Sequence, residues 1–202
     1  MRAKLLIATT NPHKIREILP LMRDLPIEIV TLPDIPPVPE PDESGETFWE
    51  NARLKALAYA RATGLIAVAE DSGLEIEALG GEPGVKSARF LGAATPYPDR
   101  FIEIFRRLGS LPRDARFVTA LSVARGTEVL FETETCVAGE IAHAPAGDRG
   151  FGYDPIFWYP PLRCTTAQLR DDQKALMSHR ARAFRDLRKW LSIHLELRGV
   201  RL

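Results

Sequence analysis

Apolar and polar positions at the start of the chain switch between the pattern of a buried strand and that of an amphipathic helix. A nearly continuous apolar run over residues 4–9 predicts a strand buried on both faces, as in a parallel or mixed sheet. Asn11 and Pro12 then match an N-cap and a first helical residue, and the apolar stripe behind them predicts a helix that ends near Leu25. A second short strand is predicted over 27–31.

A proline-rich segment separates these elements from a further helix and strand. Residues 33–45 carry five of the sixteen prolines and are predicted to form an extended loop. Thr47 and Glu50 match a capping box, so a helix is predicted to begin here and to end near Gly64, which suits a C-cap. The apolar run over 65–69 predicts a strand that ends where polar residues follow.

The remaining predicted elements are separated by turns. They are a turn-rich loop over 80–84, a helix over 99–108, two antiparallel strands over 116–125 and 128–137 joined at Gly126, a glycine-rich aromatic segment over 147–158, and a last helix that Ser178 caps and that reaches about Leu195. No internal repeat or low-complexity tract is present in the sequence. The pattern predicts a mixed α/β fold with a parallel N-terminal part and an antiparallel insertion.

Length, composition and charge argue against several classes of protein. The 202 residues fit one domain, or one domain with two lobes, and 45% hydrophobic and 27% charged residues are ordinary for a globular chain. The formal net charge of 0 argues against a nucleic-acid binder that depends on excess cations. No run approaches the ~20 apolar residues of a membrane span, and the short apolar run after Met1 does not match a signal peptide. Cys136 and Cys164 fit buried free thiols in a reducing cytosol, so a cytoplasmic location is expected.

Lys14 is a candidate phosphate-binding residue. The chain has 21 arginines and 6 lysines, so a retained lysine is mildly informative. Lys14 falls in the first turn of the helix predicted after Asn11, where the helix dipole opposes a cation by ~0.3–1 kcal/mol unless an anion lies between them. Backbone N–H groups of the segment 9–14 would point toward that anion. The alternative is a solvated surface lysine.

Lys55 is a second candidate cation. Asn51 and Lys55 are four residues apart and therefore share one face of the predicted helix, beside the apolar positions Leu54 and Leu57. This placement favours a side chain that leans toward the interior or into a cleft. The alternative is an apolar stem lying along the surface with its ammonium in water.

Carboxylates are concentrated in two places. Glu70 and Asp71 follow the strand predicted over 65–69, where ligands bind in open α/β sheets, and as strand neighbours they point to opposite faces. Six carboxylates and no Lys or Arg lie between residues 33 and 50, so the pair Asp42–Glu43 is a candidate source of a second acidic group. Two carboxylates and a polyphosphate are a usual way to hold Mg²⁺. The alternative is a polar strand end with a turn.

An aromatic segment offers a place for a base. Residues 151–159 contain five of the sixteen aromatic residues, and an aromatic face can stack on a base while Asp154 accepts a hydrogen bond from a ring N–H. The alternative is a hydrophobic strand with its turn, which accounts for Phe157 and Trp158. Further polar candidates lie near the start of the last helix, namely Lys174, Ser178, His179 and Arg180.

Short motifs follow one another along the chain in a specific order. They are Thr9-Thr10-Asn11 with Lys14, Thr47-Phe48 with Glu50-Asn51-Ala52 and Lys55-Ala56, Glu70-Asp71-Ser72-Gly73-Leu74, Gly81 with Pro83-Gly84, Ser87-Ala88-Arg89, Gly150 to Phe157, and Lys174 with Ser178-His179-Arg180. Each motif is weak by itself, but in order and spacing they resemble the inosine triphosphate pyrophosphatase family. That family hydrolyses dITP, ITP and XTP to the monophosphate and pyrophosphate. The resemblance covers residues 5 to about 190.

The resemblance implies a fold and an activity. The implied fold is a single domain over 1–202, an α/β protein with an elongated mixed sheet flanked by helices and two lobes with a central active-site cleft. The implied protein is a nucleoside-triphosphate pyrophosphatase that uses Mg²⁺, acts on purine nucleoside triphosphates and cleanses the nucleotide pool. It is expected to form a homodimer and to have neither nucleic acid nor membrane as a partner.

The resemblance also implies a role for each matching residue. Asp71 is the expected catalytic carboxylate and a Mg²⁺ ligand, and Asp42 or Glu43 is the expected second metal ligand. The triphosphate is expected at residues 9–14 and at Lys55, with Ser72 touching the substrate. The full expected substrate-binding set is Thr9, Thr10, Asn11, Pro12, His13, Lys14, Lys55, Ser72, Phe151, Gly152, Tyr153, Asp154, Lys174, His179 and Arg180, of which the members from Phe151 onward form the nucleoside pocket.

Three positions depart from the usual motifs, and two rival functions are compatible with parts of the sequence. Thr10 replaces a glycine of many members, Gln173 replaces a glutamate before the pocket lysine, and Glu70 replaces an aspartate while keeping the charge. One rival is a pyrophosphatase of the related septum-inhibitor type, acting on modified pyrimidine triphosphates, but residues 151–154 and 178–180 favour a purine. The other is a non-catalytic nucleotide or RNA binder, which would not release pyrophosphate in a Mg²⁺-dependent reaction.

Overall fold

The computed structural model describes residues 4–197, with side chains as far as His194. Its strands are β1 (Lys4–Ile7), β2 (Glu28–Thr31), β3 (Ile66–Ile76), β4 (Asp114–Arg125), β5 (Glu128–Ile141), β6 (Phe157–Tyr159) and β7 (Cys164–Thr165). Its α-helices are α1 (Pro12–Met22), α2 (Phe48–Thr63), α3 (Tyr97–Leu108), α4 (Asp171–Met177) and α5 (His179–Leu197). The strands lie in one sheet in the order β2-β1-β3-β4-β5-β6-β7, and the fold is mixed α/β as predicted.

The predicted parallel part consists of β1, β2 and β3. Leu6 of β1 lies opposite Val30 of β2 on one side and Ala67 of β3 on the other, and both pairings are parallel. Leu6 is 0% exposed because β1 is covered on both faces, which explains its continuous apolar run. The pairings of β6 with β5 and with β7 are antiparallel, so the sheet is mixed.

The helix ends follow the local signals of the sequence. Asn11 caps α1 and Pro12 is its first residue, although α1 ends slightly earlier than predicted. Thr47 and Glu50 form the predicted capping box of α2. Gly64 ends α2 in the left-handed conformation with a φ of 70°, which a glycine adopts without strain.

The strand β3 is longer than predicted. We expected it to end at residue 69, but it continues to Ile76, so Glu70, Asp71 and Ser72 lie within the strand and not at its end. The prediction was wrong because polar residues were taken as a strand end, whereas Leu74 and Ile76 resume the buried pattern after them. The main-chain N–H of Ala8 donates to the carbonyl of Val68, and Glu70 and Asp71 therefore follow directly after the carboxyl end of β1.

Two further expectations need correction. Residues 171–177 form α4, which was not predicted, and Ser178 follows this helix and precedes α5. The two cysteines are free as expected but not buried, because Cys136 is exposed and Cys164 is half-buried. Among the described residues, no helix combines the length and the apolar character needed to cross a membrane.

The chain divides into two compact units, each made of separate stretches of sequence. The first unit comprises the residues up to Asp71, residues 119–135 and those from Arg180 onward. The second unit comprises residues 72–118 and 136–179.

Each unit has its own hydrophobic core. In the first unit, Leu5 of β1 and Ile18 of α1 belong to one cluster with Leu187 of α5. In the second unit, Phe101 of α3 belongs to one cluster with Phe157 of β6. These cores anchor the strands and helices from which the polar side chains of the candidate site project.

Candidate active site

The segment between β1 and α1 has the geometry of a capped helix start. The Asn11 side-chain oxygen accepts hydrogen bonds from the N–H groups of His13, at 2.9 Å, and Lys14, at 3.3 Å. The N–H of Asn11 in turn donates to the Thr9 hydroxyl at 3.2 Å. His13 is exposed, so the first turn of α1 faces solvent at this point. The N–H groups of His13 and Lys14 are therefore already satisfied by the Asn11 cap, and phosphate binding at this segment stays a prediction.

Two other residues of the predicted phosphate segment are exposed. Pro12 begins α1 without donating a main-chain hydrogen bond, as any proline must. The Thr10 hydroxyl lies 3.4 Å from the Glu40 carboxylate, a weak contact to the proline-rich loop. The departure from glycine at Thr10 is accommodated here, since Thr10 is not among the residues with a positive φ.

Lys14 belongs to a buried network of alternating charge. Its ammonium lies 3.3 Å from the Glu70 carboxylate. Glu70 also accepts from the Nε of Arg180 at 2.7 Å, and the Nη1 of Arg180 donates to Glu17 at 2.6 Å. The Arg180 and Glu70 side chains are each 2% exposed. The network contains two cations and two anions, so the charge is balanced without a ligand.

Burial acts on the cations of this network in different ways. Burial lowers the pKa of Lys14 below its ordinary value, although the negative charge of Glu70 acts in the opposite direction. Burial also opposes the charge of Arg180, but Glu70 and Glu17 outweigh it and hold the pKa of Arg180 above its ordinary value. Arg180 is therefore a permanent cation, whereas Lys14 gives up its proton more readily than a solvated lysine.

A second network surrounds Asp71. The Lys55 ammonium lies 2.6 Å from the Glu43 carboxylate and 3.2 Å from that of Asp71. The Asn51 side-chain amide donates to the other oxygen of Asp71 at 3.1 Å. The prediction that Lys55 leans toward the interior is confirmed, since the residue is 8% exposed. Two carboxylates and one ammonium thus meet at the start of α2.

The charges in this second network shift one another's pKa values. Burial disfavours the ammonium of Lys55, but the negative charges of Asp71 and Glu43 outweigh burial and raise the pKa of Lys55. Burial raises the pKa of Asp71, although the positive charges of Lys55 and Lys14 oppose that shift. A carboxyl whose pKa is raised is a better proton acceptor than a solvated aspartate, which suits acid–base work.

The structure distinguishes the two acidic residues that the sequence left open. Glu43 is half-buried and contacts Lys55, whereas Asp42 next to it is exposed. Among the described residues, no group of three or more His, Cys, Asp or Glu side chains is arranged to hold a metal ion. Because Glu43 and Asp71 approach the same ammonium, the pair suits a Mg²⁺ ion only if phosphate oxygens supply further ligands.

The second unit contains a separate cluster around Asp154. This carboxylate is held by the Lys174 ammonium at 2.5 Å, the Thr166 hydroxyl at 2.7 Å and the N–H of Phe151 at 2.8 Å. Asp154 is 2% exposed, and the Lys174 ammonium also lies 5.2 Å from the centre of the Phe151 ring. A Cβ at Gly150 would collide with the Asp154 carboxylate, and this glycine has a φ of 72°.

The other predicted pocket residues of the second unit are buried or half-buried. Tyr153 is buried, and its hydroxyl donates to the carbonyl of Ser87 at 2.9 Å. The His179 ring stacks on Phe117 with 4.8 Å between ring centres. Gly152 has a φ of 67°, and Ser72 is half-buried in β3. Direct substrate contact by these residues stays a prediction.

Sequence reasoning missed some participants in these networks. Glu17 and Thr166 did not stand out because a single glutamate on a helix or threonine in a loop is usually exposed. Asn51 was noted on the helix face of Lys55, but no role was assigned to it. The four-residue spacing of Asn51 and Lys55 was the available signal, since it directs both side chains to one place.

The sequence of the chain is similar to those of known proteins. The model of the Ham1 family matches residues 5–190 of the chain. The chain belongs to the Ham1 family. This match bears out the resemblance found from the motifs, because the related sequences are named dITP/XTP pyrophosphatase.

Two such relatives illustrate the similarity. The dITP/XTP pyrophosphatase of Exiguobacterium sp. is 44% identical over 185 residues, which cover 91% of this chain and 94% of the relative. A dITP/XTP pyrophosphatase of Thermus thermophilus is 45% identical over 186 residues, which cover 91% of this chain and 89% of the relative.

Solved structures of the Ham1 family share the fold. The HAM1 protein from Coxiella burnetii has a TM-score of 0.85 and 35% identity, with 94% of this chain and 98% of that chain covered. The Staphylococcus aureus Ham1 protein has a TM-score of 0.85 and 36% identity, with 95% and 99% covered. The predicted mixed α/β fold is therefore that of the family.

Proposed function

We propose that this Ham1-family chain is a Mg²⁺-dependent pyrophosphatase that hydrolyses dITP, ITP and XTP to the nucleoside monophosphate and pyrophosphate. The observation that carries the proposal is the pair of networks on Glu70 and Asp71, which places the half-buried Lys14 and the buried Lys55 beside consecutive carboxylates of β3. Cations at such a position suit a polyphosphate, and the names of the relatives point to the same substrate class.

The proposed reaction is attack of water on the α-phosphorus. The water oxygen bonds to that phosphorus, the bond from the phosphorus to the oxygen bridging toward the β-phosphate breaks, and pyrophosphate leaves. Asp71 orients the water or accepts its proton, which then passes to solvent. Lys14 and Lys55 stabilise the negative charge that develops on the leaving pyrophosphate.

Asp71 and Glu43 are the residues proposed to hold Mg²⁺ together with phosphate oxygens. When bound, Mg²⁺ neutralises phosphate charge and polarises the phosphoryl group under attack. The Lys55 ammonium contacts both of these carboxylates. With substrate bound, the Lys55 ammonium would contact phosphate oxygens in addition to the two carboxylates.

The Asp154 cluster is proposed to select the base. Hypoxanthine and xanthine carry a 6-keto acceptor and an N1–H donor, which match an ammonium donor such as Lys174 and a carboxylate acceptor such as Asp154. Adenine presents the reverse pattern, so its 6-amino group and its N1 would be buried without matching partners, at ~1–3 kcal/mol for each unpaired group. We propose that this mismatch separates ITP and XTP from ATP.

A colorimetric phosphate assay with added inorganic pyrophosphatase tests the proposal. ITP, XTP, dITP, GTP, ATP and dUTP are compared with and without Mg²⁺. The proposal requires Mg²⁺-dependent release of pyrophosphate with ITP, XTP and dITP far above ATP. Preference for dUTP would favour the pyrimidine rival, and binding without any release would favour the non-catalytic rival.

We further propose that the enzyme removes non-standard purine nucleotides from the cytoplasmic pool, before they enter DNA or RNA, and that it works as a homodimer. The support is the family resemblance, together with the low activity expected on the standard nucleotides. Size-exclusion chromatography with light scattering measures the mass of the protein in solution. A mass of one chain would contradict the homodimer.

A further inference from the structure

Asn51 of α2 joins three parts of the first unit through one side chain. Its Nδ2 donates to the Asp71 carboxylate at 3.1 Å and to the carbonyl of Gly45 at 3.4 Å. Its Oδ1 accepts from the N–H of Gly45 at 2.8 Å. The side-chain amide of Asn51 thus uses both of its N–H groups and its oxygen, and it is 0% exposed.

These contacts couple the two carboxylates of the Lys55 network. Gly45 is two residues from Glu43, so holding both main-chain polar groups of Gly45 restricts the loop that carries Glu43. The donated hydrogen bond to Asp71 leaves its other oxygen to face Lys55. Asn51 is therefore bonded both to Asp71 and to the main chain of the loop that carries Glu43.

Gly45 is fitted closely to this arrangement. A Cβ at Gly45 would lie 2.7 Å from the Asn51 Oδ1 and 2.7 Å from the Glu50 Cβ, distances that ordinary side chains do not adopt. The loop can approach α2 this closely only without a side chain at position 45. The close packing at Gly45 and its two hydrogen bonds to Asn51 thus hold the loop at the same position on α2.

We propose that Asn51 is a positioning residue that sets the placement of Glu43 relative to Asp71, and thereby the affinity for a divalent cation. The inference rests on the proposed function, because it takes these two carboxylates as the metal-binding pair. Groups that orient metal-binding side chains usually change metal affinity when they are removed. Asn51 itself contacts neither metal nor substrate in this proposal.

The test compares Asn51→Ala with the wild-type protein. The Mg²⁺ concentration for half-maximal ITP hydrolysis should rise about 10–100-fold, whereas kcat at saturating Mg²⁺ should fall much less. A merely structural role would lower kcat and the amount of folded protein without moving the Mg²⁺ requirement. Arg53→Ala is the matched control, since Arg53 lies on the same helix but pairs with Glu132.

Gly45→Ala tests the same contact from the other side. The added methyl group must displace the loop from Asn51, so this variant should raise the Mg²⁺ requirement in the same direction as Asn51→Ala. Gly45→Ala also tests the role of Asn51 if the Asn51→Ala protein does not fold. Wild-type Mg²⁺ requirements in Gly45→Ala, with the Arg53→Ala control also unchanged, would overturn the proposal.

Binding of Mn²⁺ to the protein in the presence of a non-hydrolysable ITP analogue gives a readout without turnover, and the analogue supplies the phosphate oxygens that complete the site. Electron paramagnetic resonance of free Mn²⁺ should show weaker binding to Asn51→Ala and Gly45→Ala than to the wild type and Arg53→Ala. Equal Mn²⁺ binding by all four proteins would contradict the role of Asn51. A wild type that neither binds Mn²⁺ nor hydrolyses ITP would instead contradict the proposed function, so the two failures are distinguishable.

Discussion

Glu70 and Asp71 are consecutive residues of β3, yet their carboxylates take part in two different ion-pair networks. Glu70 contacts Lys14 and Arg180, whereas Asp71 contacts Lys55. Neighbouring residues of a strand point to opposite faces, which separates the two carboxylates. We infer that Glu70 holds Lys14 in place, whereas Asp71 is the carboxylate proposed to bind the metal and to orient the water.

The first prediction concerns the proposed catalytic carboxylate. Asp71→Asn should lower kcat about 100-fold or more, because an amide is a poor metal ligand and does not accept a proton. The ITP hydrolysis rate measures the effect, and circular dichroism checks the fold. Turnover within a few-fold of wild type in a folded protein would show that Asp71 is not the catalytic carboxylate.

The second prediction concerns the choice between the two acidic loop residues. Glu43→Ala should raise the Mg²⁺ requirement for hydrolysis about tenfold or more, whereas Asp42→Ala should behave like wild type. The reason is that Glu43 contacts Lys55 and Asp42 is exposed. Mg²⁺ titrations of both variants decide the matter, and the reverse result would assign the metal to Asp42.

The third prediction concerns pH. Since burial lowers the pKa of Lys14, its positive charge is lost at lower pH than that of an ordinary lysine. The pH profile of kcat/KM, which reports the free enzyme, should therefore fall on its alkaline side below the usual lysine range. Lys14→Arg should lower kcat/KM about tenfold or more but move the alkaline fall to higher pH, because arginine stays charged. An unshifted alkaline limb would assign that titration to another group.

The fourth prediction revises the role of Arg180. The resemblance assigned Arg180 to the nucleoside pocket, but its guanidinium pairs with Glu70 and Glu17 in the first unit. Arg180→Ala should lower the free energy of unfolding by about 3–5 kcal/mol, because it leaves buried carboxylates uncompensated. It should reduce hydrolysis of ITP, XTP and ATP by similar factors.

Urea unfolding and parallel assays check both parts of that prediction. Arg182→Ala, on the same helix but exposed, is the control and should change stability little. If Arg180→Ala instead narrows the gap between ITP and ATP while remaining stable, Arg180 reads the base after all.

The fifth prediction concerns base choice. ITP and XTP should exceed ATP in kcat/KM by about thirty-fold or more, from two unpaired groups at ~1–3 kcal/mol each. Asp154→Asn should raise the KM for ITP and narrow this gap, since an amide replaces the proposed acceptor of N1–H. Steady-state kinetics with the three nucleotides measure the effect. A variant that loses all three substrates equally would make Asp154 a structural residue.

Local signals in the sequence predicted much of the fold. The caps at Asn11, Thr47 and Gly64 fix helix ends through contacts within a few residues, so they can be seen without the tertiary structure. The prediction ended β3 at residue 69, seven residues too early. The polar run that follows is stable within a buried strand only because charged partners surround it. Those partners are distant in sequence, and pattern alone does not supply them.

The sequence identified several residues of the candidate site but not the contacts between them. Lys14, Lys55 and Asp71 were singled out from residue type and spacing, and the structure places each in an ion-pair network. The partnership of Arg180 with Glu70 joins residues 110 positions apart, and no local pattern encodes it. The choice of Glu43 over Asp42 depends on which of two adjacent loop side chains contacts Lys55, and a single sequence leaves that open.

The discontinuous first unit has a consequence for synthesis on the ribosome. Phe184 and Leu187 of α5 belong to the core cluster that contains Leu5. This core therefore stays incomplete until nearly the whole chain has been made. Glu70 emerges 110 residues before Arg180, an interval of about 5–22 s at the usual elongation rate of about 5–20 residues per second. A nascent chain that stalls before α5 therefore has Glu17 and Glu70 without Arg180, and it lacks the part of the core that Phe184 and Leu187 complete.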